Sequence, residues 1–145
     1  MAMAALTLDH KYRVGQAAIH EELTDDLVQV VHVLPSLSPG LCSVLIGTGG
    51  YGTYHFNYAD SRFSLFNYTE DCEHCNSINF LFQSKDESVW IATFEGVRKI
   101  RGRYITKFDK TDGLAGNIAT TVSEDSWGNI WVGTVEGKTI SKISG

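Results

Sequence analysis

The sequence predicts an all-β protein built from repeated sheets of short antiparallel strands. Two independent markers recur along its 145 residues. The first marker stands at 45–48, 90–93 and 131–134, with separations of 45 and 41 residues. The second stands at 24–27, 69–72 and 111–114, with separations of 45 and 42 residues. The composition agrees, because 14 glycines, 3 tryptophans, 6 tyrosines and 7 phenylalanines favour strands and tight turns.

Each repeat divides into strand-like runs separated by turn residues. In the third repeat, strands are predicted at 118–124, 130–134 and 139–143. In the second repeat they are predicted at 78–83, 89–93, 97–100 and 104–108. In the first repeat they are predicted at 28–33, 44–48, 53–56 and 63–66. Repeats of this length with four short antiparallel strands are typical of β-propeller blades, so we predict three such blades per chain.

The chain therefore divides into an N-terminal segment, 1–23, and three repeats at 24–68, 69–110 and 111–145. The third repeat has three predicted strands and lacks the fourth. Residues 11–14 resemble the starts of the fourth strands at 62–65 and 103–106, which predicts one further strand there. We expect that strand to complete the third blade of a second copy, so that two chains form a six-bladed ring. The alternative is that the sequence is an excerpt of a longer propeller.

Charge and hydropathy exclude several functional classes. A net charge of −5 and a pI of about 5.4 argue against a general nucleic-acid binder. Six lysines and arginines lie between Arg98 and Lys110, and on alternating strand positions they predict a solvated face. No apolar run is long enough to span a bilayer, and the start does not resemble a secretory signal. These features predict either a cytoplasmic protein or an excised piece of a longer, periplasmic one.

The three cysteines are an odd number, so they cannot form a complete disulfide framework. Cys72 and Cys75 have the spacing of half a zinc site or of a redox pair. No second Cys-x-x-Cys supplies further zinc ligands, and Asn76 stands where a c-type haem site needs histidine. We therefore interpret the pair as part of a loop, and predict neither a metal nor a cofactor.

Residues 124–134, Glu-Asp-Ser-Trp-Gly-Asn-Ile-Trp-Val-Gly-Thr, resemble the repeat of the two-component regulator propeller family. Residues 90–97 match it nearly as well, whereas Leu45 stands where tryptophan is usual. The resemblance implies propeller blades from the extracytoplasmic sensor region of a bacterial hybrid histidine kinase. More distantly, 128–131 and 138–143 are similar to streptogramin lyase propellers, which use a histidine base and a divalent metal. That constellation is not recognisable here.

The turns between second and third strands and the connections between blades meet at one end of a propeller, where loops often bind ligands. Two aromatic residues there, Tyr51 and Phe94, are suited to stack on a sugar or another flat ligand. The polar candidates for hydrogen bonds to that ligand are Glu95, Glu136, Asn76 and Asn117. The alternative is that the glycines serve tight turns and the acids are solvated. At the other end, Asp125 and Asn129 are predicted to fix turn geometry, while Trp90 and Trp131 are predicted to pack between blades.

No catalytic motif is present: the sequence contains no Gly-x-Ser-x-Gly, no Walker loop and no His-Glu-x-x-His. Glu95 and Glu136 are predicted to lie one blade apart on the same face, so they are the best candidates for a catalytic pair of carboxylates. We therefore predict a non-catalytic ligand-binding or sensing module. The alternatives are a lyase or hydrolase that acts at the central channel, and a structural scaffold for protein interactions.

Overall fold

The computed structural model describes residues 4–6, 14–16, 28–34, 43–57, 62–67, 69–136 and 140–144. Its strands are β1 (Ala4–Leu6), β2 (Val14–Gln16), β3 (Val28–Leu34), β4 (Ser43–Thr48), β5 (Thr53–Asn57), β6 (Arg62–Asn67), β7 (Ile78–Gln83), β8 (Val89–Thr93), β9 (Gly96–Arg101), β10 (Tyr104–Phe108), β11 (Ala119–Glu124), β12 (Ile130–Thr134) and β13 (Ile140–Ile143). Two short 3-10 helices, Glu73–Asn76 and Lys110–Asp112, precede the second and third blades. No helix among these residues is long and apolar enough to cross a membrane.

The strands form successive antiparallel sheets in chain order. The first blade is β3-β4-β5-β6, the second is β7-β8-β9-β10, and the third is the three-stranded sheet β11-β12-β13. The predicted all-β propeller architecture is thus confirmed. Strands β7, β8, β10 and β12 have the predicted bounds. Strands β3, β4, β5 and β11 differ by one residue at one end, β6 and β9 differ by one residue at each end, and β13 is described from Ile140 onwards. The sequence is accurate here because turns and period-two alternation define such short strands locally.

The N-terminal segment contains a short sheet of its own. Val14–Gln16 pairs with Ala4–Leu6 in a separate two-stranded sheet, with Ala4 opposite Gln16. The strand predicted at 11–14 overlaps this pairing at Val14, and 11–13 lie outside the described residues. Pairing between two nearby segments satisfies backbone N–H and C=O groups locally. Completion of a blade in a second chain stays a prediction.

The hydrophobic core lies between the blades. The cluster between the first and second blades contains Leu45, Ile78, Leu81, Val89, Ile91 and Ile100. The cluster between the second and third contains Trp90, Ala92, Val97, Leu114, Ala119, Val122, Ile130 and Val132. A third, Ile46, Tyr54 and Phe56, lies in the first blade. Because successive side chains alternate across a sheet, β8 sends alternate residues to each neighbouring blade and is buried along its whole length.

Each blade also has an irregularity at the start of its first strand. The register shifts between Val28 and Val30 in β3, between Ile78 and Phe80 in β7, and between Ala119 and Thr121 in β11. A bulge of this kind bends the strand and increases its twist. The three bulges lie at the end of the blades where the inter-blade connections enter, which is the end that carries the candidate loops.

Candidate functional site

The turns between second and third strands are organised by the threonine that ends each second strand. Its hydroxyl donates to a carbonyl of the turn: Thr48 to Gly52 at 2.8 Å, Thr93 to Gly96 at 3.0 Å, and Thr134 to Glu136 at 3.0 Å. In two of the turns the same hydroxyl accepts a backbone N–H, from Tyr51 or from Glu95, at 3.0 Å in each case. A buried hydroxyl that is satisfied in both directions holds the turn in one conformation.

Each of the first two turns is also tied to the next blade through an asparagine. The carbonyl of Asn76 accepts the N–H groups of Gly50 at 3.1 Å and Gly52 at 3.0 Å, and the carbonyl of Asn117 accepts the N–H of Gly96 at 2.5 Å. The turn of one blade and the connection into the next thus form a continuous hydrogen-bonded structure. The loops at this end are fixed to the scaffold on both sides.

Asn76 and Asn117, which the sequence analysis predicted to bind a ligand, have a structural role. The Asn76 side chain is 1% exposed. Its Oδ1 accepts the N–H of Thr69 at 2.8 Å, and its Nδ2 donates to the carbonyls of Thr69 and Cys72 at 2.8 and 3.1 Å. Asn117 Oδ1 accepts the N–H of Lys110 at 3.0 Å in the corresponding place. These bonds hold the connections together and bury the Asn76 side chain, and contact of Asn76 with a ligand stays a prediction.

The other four candidates are accessible, and we call them the loop face: Tyr51, Phe94, Glu95 and Glu136. Tyr51 is 46% exposed and Phe94 is 40% exposed. Glu136 accepts the backbone N–H of Asn117 through Oε2 at 3.1 Å, so this carboxylate is partly used in fixing the neighbouring connection. The turn of Glu95 is bonded to the carbonyl of the same Asn117. Asn117 therefore links the two acidic turns.

Cys72 and Cys75 are joined in a disulfide, with their Cα atoms 5.3 Å apart. The bond joins Cys72, directly before the 3-10 helix Glu73–Asn76, to Cys75 within that helix, and Cys75 is buried. In this state neither sulfur is a zinc ligand. Among the described residues, no group of three or more His, Cys, Asp and Glu side chains could hold a metal ion. The disulfide cross-links the connection between the first and second blades, in which the carbonyl of Cys72 accepts a hydrogen bond from Asn76 Nδ2.

The hairpins at the opposite end confirm the predicted role of Asp125. Its carboxylate accepts the N–H groups of Trp127 and Asn129, both at 2.9 Å, and the indole N–H of Trp131 at 2.9 Å. Desolvation alone would raise the pKa of Asp125, but the hydrogen bonds from Trp131, Asn129 and Trp127 outweigh it and hold the pKa far below its usual value. Asp125 therefore fixes the turn.

A cavity of about 690 Å³, which we call the outer groove, lies beside the end of β6, the connection that follows it, and strands β9 and β10. It is lined by Asn67, Thr69, Glu70, Arg98, Ile105, Thr106 and Lys107. Arg98 is 2% exposed, which corrects the prediction that the whole basic cluster is solvated. The reason is tertiary: Arg98 lies opposite Ile91, which packs against the first blade. The cluster members Arg101, Arg103, Lys107 and Lys110 are exposed as predicted.

A second cavity, of about 680 Å³, lies between the second and third blades at the hairpin end. Trp90, Phe108 and Trp127 contribute aromatic surface to its wall. Asp86 lies 3.3 Å from Lys99 and 3.8 Å from Arg101 at the same wall. Sequence reasoning found neither cavity, because each is assembled from residues of two blades that no local motif connects. The exposed Trp127 beside the predicted Asp125 turn was the available signal.

The stacked antiparallel sheets, their shared turn chemistry and their inter-blade core define this chain as a series of β-propeller blades. Residues 113–136 match the two component regulator propeller family, so the third blade carries a repeat of that family. The resemblance noted in the sequence is thereby confirmed for this segment. No curated protein matches the sequence significantly.

Solved structures agree on the fold. The extracellular domain assigned to the hybrid two component system BT3049 from B. thetaiotaomicron matches with a TM-score of 0.67, 18% identity and 92% of this chain covered. The extracellular domain assigned to the one component system BT4673, also from B. thetaiotaomicron, matches with a TM-score of 0.69, 19% identity and 93% of this chain covered. The chain spans 19% and 18% of those two chains.

Proposed function

We propose that this chain is a non-catalytic, ligand-sensing propeller module of the extracellular part of a bacterial two component system, and that a small molecule or carbohydrate binds at the loop face. The observation that carries this proposal is the pair of exposed aromatic side chains, Tyr51 and Phe94, on turns whose backbone is hydrogen-bonded on both sides. An aromatic ring on a fixed backbone offers contact area with little ordering cost on binding.

The extracellular assignment rests on two further observations. The similar solved structures are extracellular domains of two component or one component systems. The Cys72–Cys75 disulfide fits an oxidising compartment, where such bonds persist. A sensor role also agrees with the match of residues 113–136, since the description of that family refers to two component regulators.

Binding is tested with a panel of neutral mono- and oligosaccharides by thermal shift and titration calorimetry. A ligand at 100 times its dissociation constant should stabilise the protein by about 2.7 kcal/mol. Tyr51→Ala and Phe94→Ala should each weaken the binding, because each removes a stacking surface. Trp127→Ala is the matched control, since Trp127 is 85% exposed at the opposite end. Equal loss in all three variants would reject the loop face, and no stabilisation by any saccharide would reject carbohydrate as its ligand class.

The same ligand distinguishes sensing from catalysis. The double variant Glu95→Gln and Glu136→Gln should change the affinity for the ligand. Mass spectrometry should recover the ligand intact after prolonged incubation with the unmodified protein, because a sensing module does not cleave it. Cleavage of the ligand that stops in the double variant would instead establish the enzymatic alternative at this end of the blades.

We also propose that a second copy of the chain packs head to tail on this one to close a ring. Each blade buries one face against the next: Trp90 and Val97 of the second blade are 2% and 1% exposed where they meet the third. In the third blade the residue in register with Val97 is Ile140, which is 68% exposed. The face of the third blade that carries Ile140 therefore corresponds to the face of the second blade that the third blade covers.

The first blade offers a complementary position. Val31 is 56% exposed, whereas Leu81 and Val122, in the same register in the other blades, are each 2% exposed. A head-to-tail dimer covers Val31 and Ile140 together. Light scattering behind a sizing column should then give twice the 16.0 kDa of one chain. Ile140→Asp should halve that mass, and Tyr104→Asp, on the outermost strand of the second blade, should not. A monomeric mass for the unmodified chain would reject the ring.

A further inference from the structure

The outer groove contains a buried cation, Arg98, that forms no ion pair with another of the described residues. Arg98 is 2% exposed, and its Nη1 donates to the side-chain oxygen of Asn67 at 3.1 Å. Its Nη2 is buried and has no hydrogen-bond partner among the described residues. Burial also lowers the pKa of Arg98. Guanidinium groups are rarely buried without a carboxylate or another anion, because the cost of leaving water is then not offset.

The surroundings favour an anion at this position. Lys107 lies directly opposite Arg98 across β9 and β10 and lines the same cavity, so it adds a second positive charge. Thr69 and Thr106 contribute hydroxyl groups, and Glu70 is the one carboxylate among the described lining residues. The described ionisable side chains of the lining, Arg98, Lys107 and Glu70, thus sum to one net positive charge. That balance suits a monoanion better than a dianion.

We propose that the outer groove binds the carboxylate of a small organic acid, which accepts the free N–H groups of Arg98 Nη2 and lies beside Lys107. A planar carboxylate matches the edge of a guanidinium group. A volume of about 690 Å³ leaves room for an organic body beyond the carboxylate, and Ile105 gives that body an apolar wall. This site is separate from the loop face and goes beyond the function proposed above.

The test uses the full chain with benzoate, its neutral isostere benzamide, and phosphate, at constant ionic strength. Benzoate should raise the melting temperature and shift the backbone NMR signals of Arg98 and Lys107, whereas benzamide should do neither. Phosphate should bind more weakly than benzoate. Equal effects of benzoate and benzamide, or preferential binding of phosphate, would overturn the assignment to a monocarboxylate.

Variants locate the binding. Arg98→Met keeps most of the buried volume and should weaken benzoate binding roughly tenfold or more. Lys107→Gln, at an exposed side chain, should weaken it by a smaller factor and keeps the test valid if Arg98→Met fails to fold. Arg103→Gln, in the same basic cluster but outside the groove, should leave it unchanged, as should Tyr51→Ala on the loop face. Unaltered benzoate affinity in both Arg98→Met and Lys107→Gln would disprove the site.

Discussion

Trp90 and Trp131 occupy the same position in successive blades and make the same contacts on their own sheets. Each indole N–H donates to the residue that opens the preceding hairpin, from Trp90 to Ser84 Oγ at 3.1 Å and from Trp131 to Asp125 Oδ2 at 2.9 Å. Each ring also lies beneath a lysine, Lys99 at 5.2 Å and Lys142 at 5.8 Å. They differ in what covers them, since Trp90 is packed against the third blade and is 2% exposed.

This difference predicts unequal effects of the same substitution. Trp90→Ala leaves a large cavity between two blades and should lower the free energy of unfolding by about 3–5 kcal/mol. Trp131→Ala should cost less than about 2 kcal/mol in the monomeric chain, because its ring is only partly buried. Urea denaturation of both variants, at a protein concentration where the chain is monomeric, measures the two values. Equal losses would contradict the assigned packing.

Glu87 predicts a stabilising substitution. It has a φ of 67°, and its counterpart in the next blade is Gly128 with a φ of 84°. A non-glycine residue in this left-handed region costs about 1–3 kcal/mol of backbone strain. Glycine removes that strain, but part of the gain is cancelled because glycine loses more conformational entropy on folding. Glu87→Gly should therefore raise the free energy of unfolding by about 0.5–1 kcal/mol. Glu87→Ala keeps the strain and is the control; a gain as large in Glu87→Ala would exclude backbone strain as the cause.

Gly96 and Gly102 predict a contrast between two alanine substitutions. Both have positive φ, 87° and 59°. A Cβ at Gly96 would collide with the backbone oxygen of Phe108, whereas one at Gly102 would meet nothing within 4 Å. Gly102→Ala should cost about 1–2 kcal/mol for its conformation alone. Gly96→Ala adds overpacking and should cost roughly 2–5 kcal/mol. Thermal or chemical denaturation compares them, and a smaller loss at Gly96 would be inconsistent with this geometry.

Asp125 and Asp86 predict a loss of stability in acid. The pKa of Asp86 is lowered chiefly by its hydrogen bond from Ser84, against desolvation, and that of Asp125 is lowered by the hairpin donors. Because both folded-state pKa values lie below the unfolded value of 3.8, their contribution is complete above that value and is lost as the pH falls further.

The free energy of unfolding should accordingly decrease as the pH is lowered below about 4. Asp125→Asn should show a smaller decrease, because its side chain does not titrate, and it should be less stable than the unmodified protein at neutral pH. Ser126→Ala, in the same turn, is the control and should follow the unmodified profile. An Asp125→Asn profile parallel to that of the unmodified chain would show that this carboxylate does not contribute.

The sequence by itself determined the blades. A period of two along each strand, glycines at the turns and a marker that recurs at 45–48, 90–93 and 131–134 are local properties, so they predicted the strands of the blades to within one residue at each end. The turn sequence that begins at Asp125 likewise assigned that residue its structural role. The same local pattern located the loop face. It did not separate Asn76 from the accessible residues, because an asparagine that closes a connection and one that meets a ligand look alike in sequence.

Only the tertiary structure decided which side chains the neighbouring blades cover. Arg98 belongs to a basic run that alternates like any solvated strand, yet it is buried because its face of β9 packs against the first blade. The outer groove likewise combines Asn67 of one blade with Lys107 of another. Burial in a propeller depends on contacts between repeats about 40 residues apart, and no local periodicity records which face of a strand will meet them.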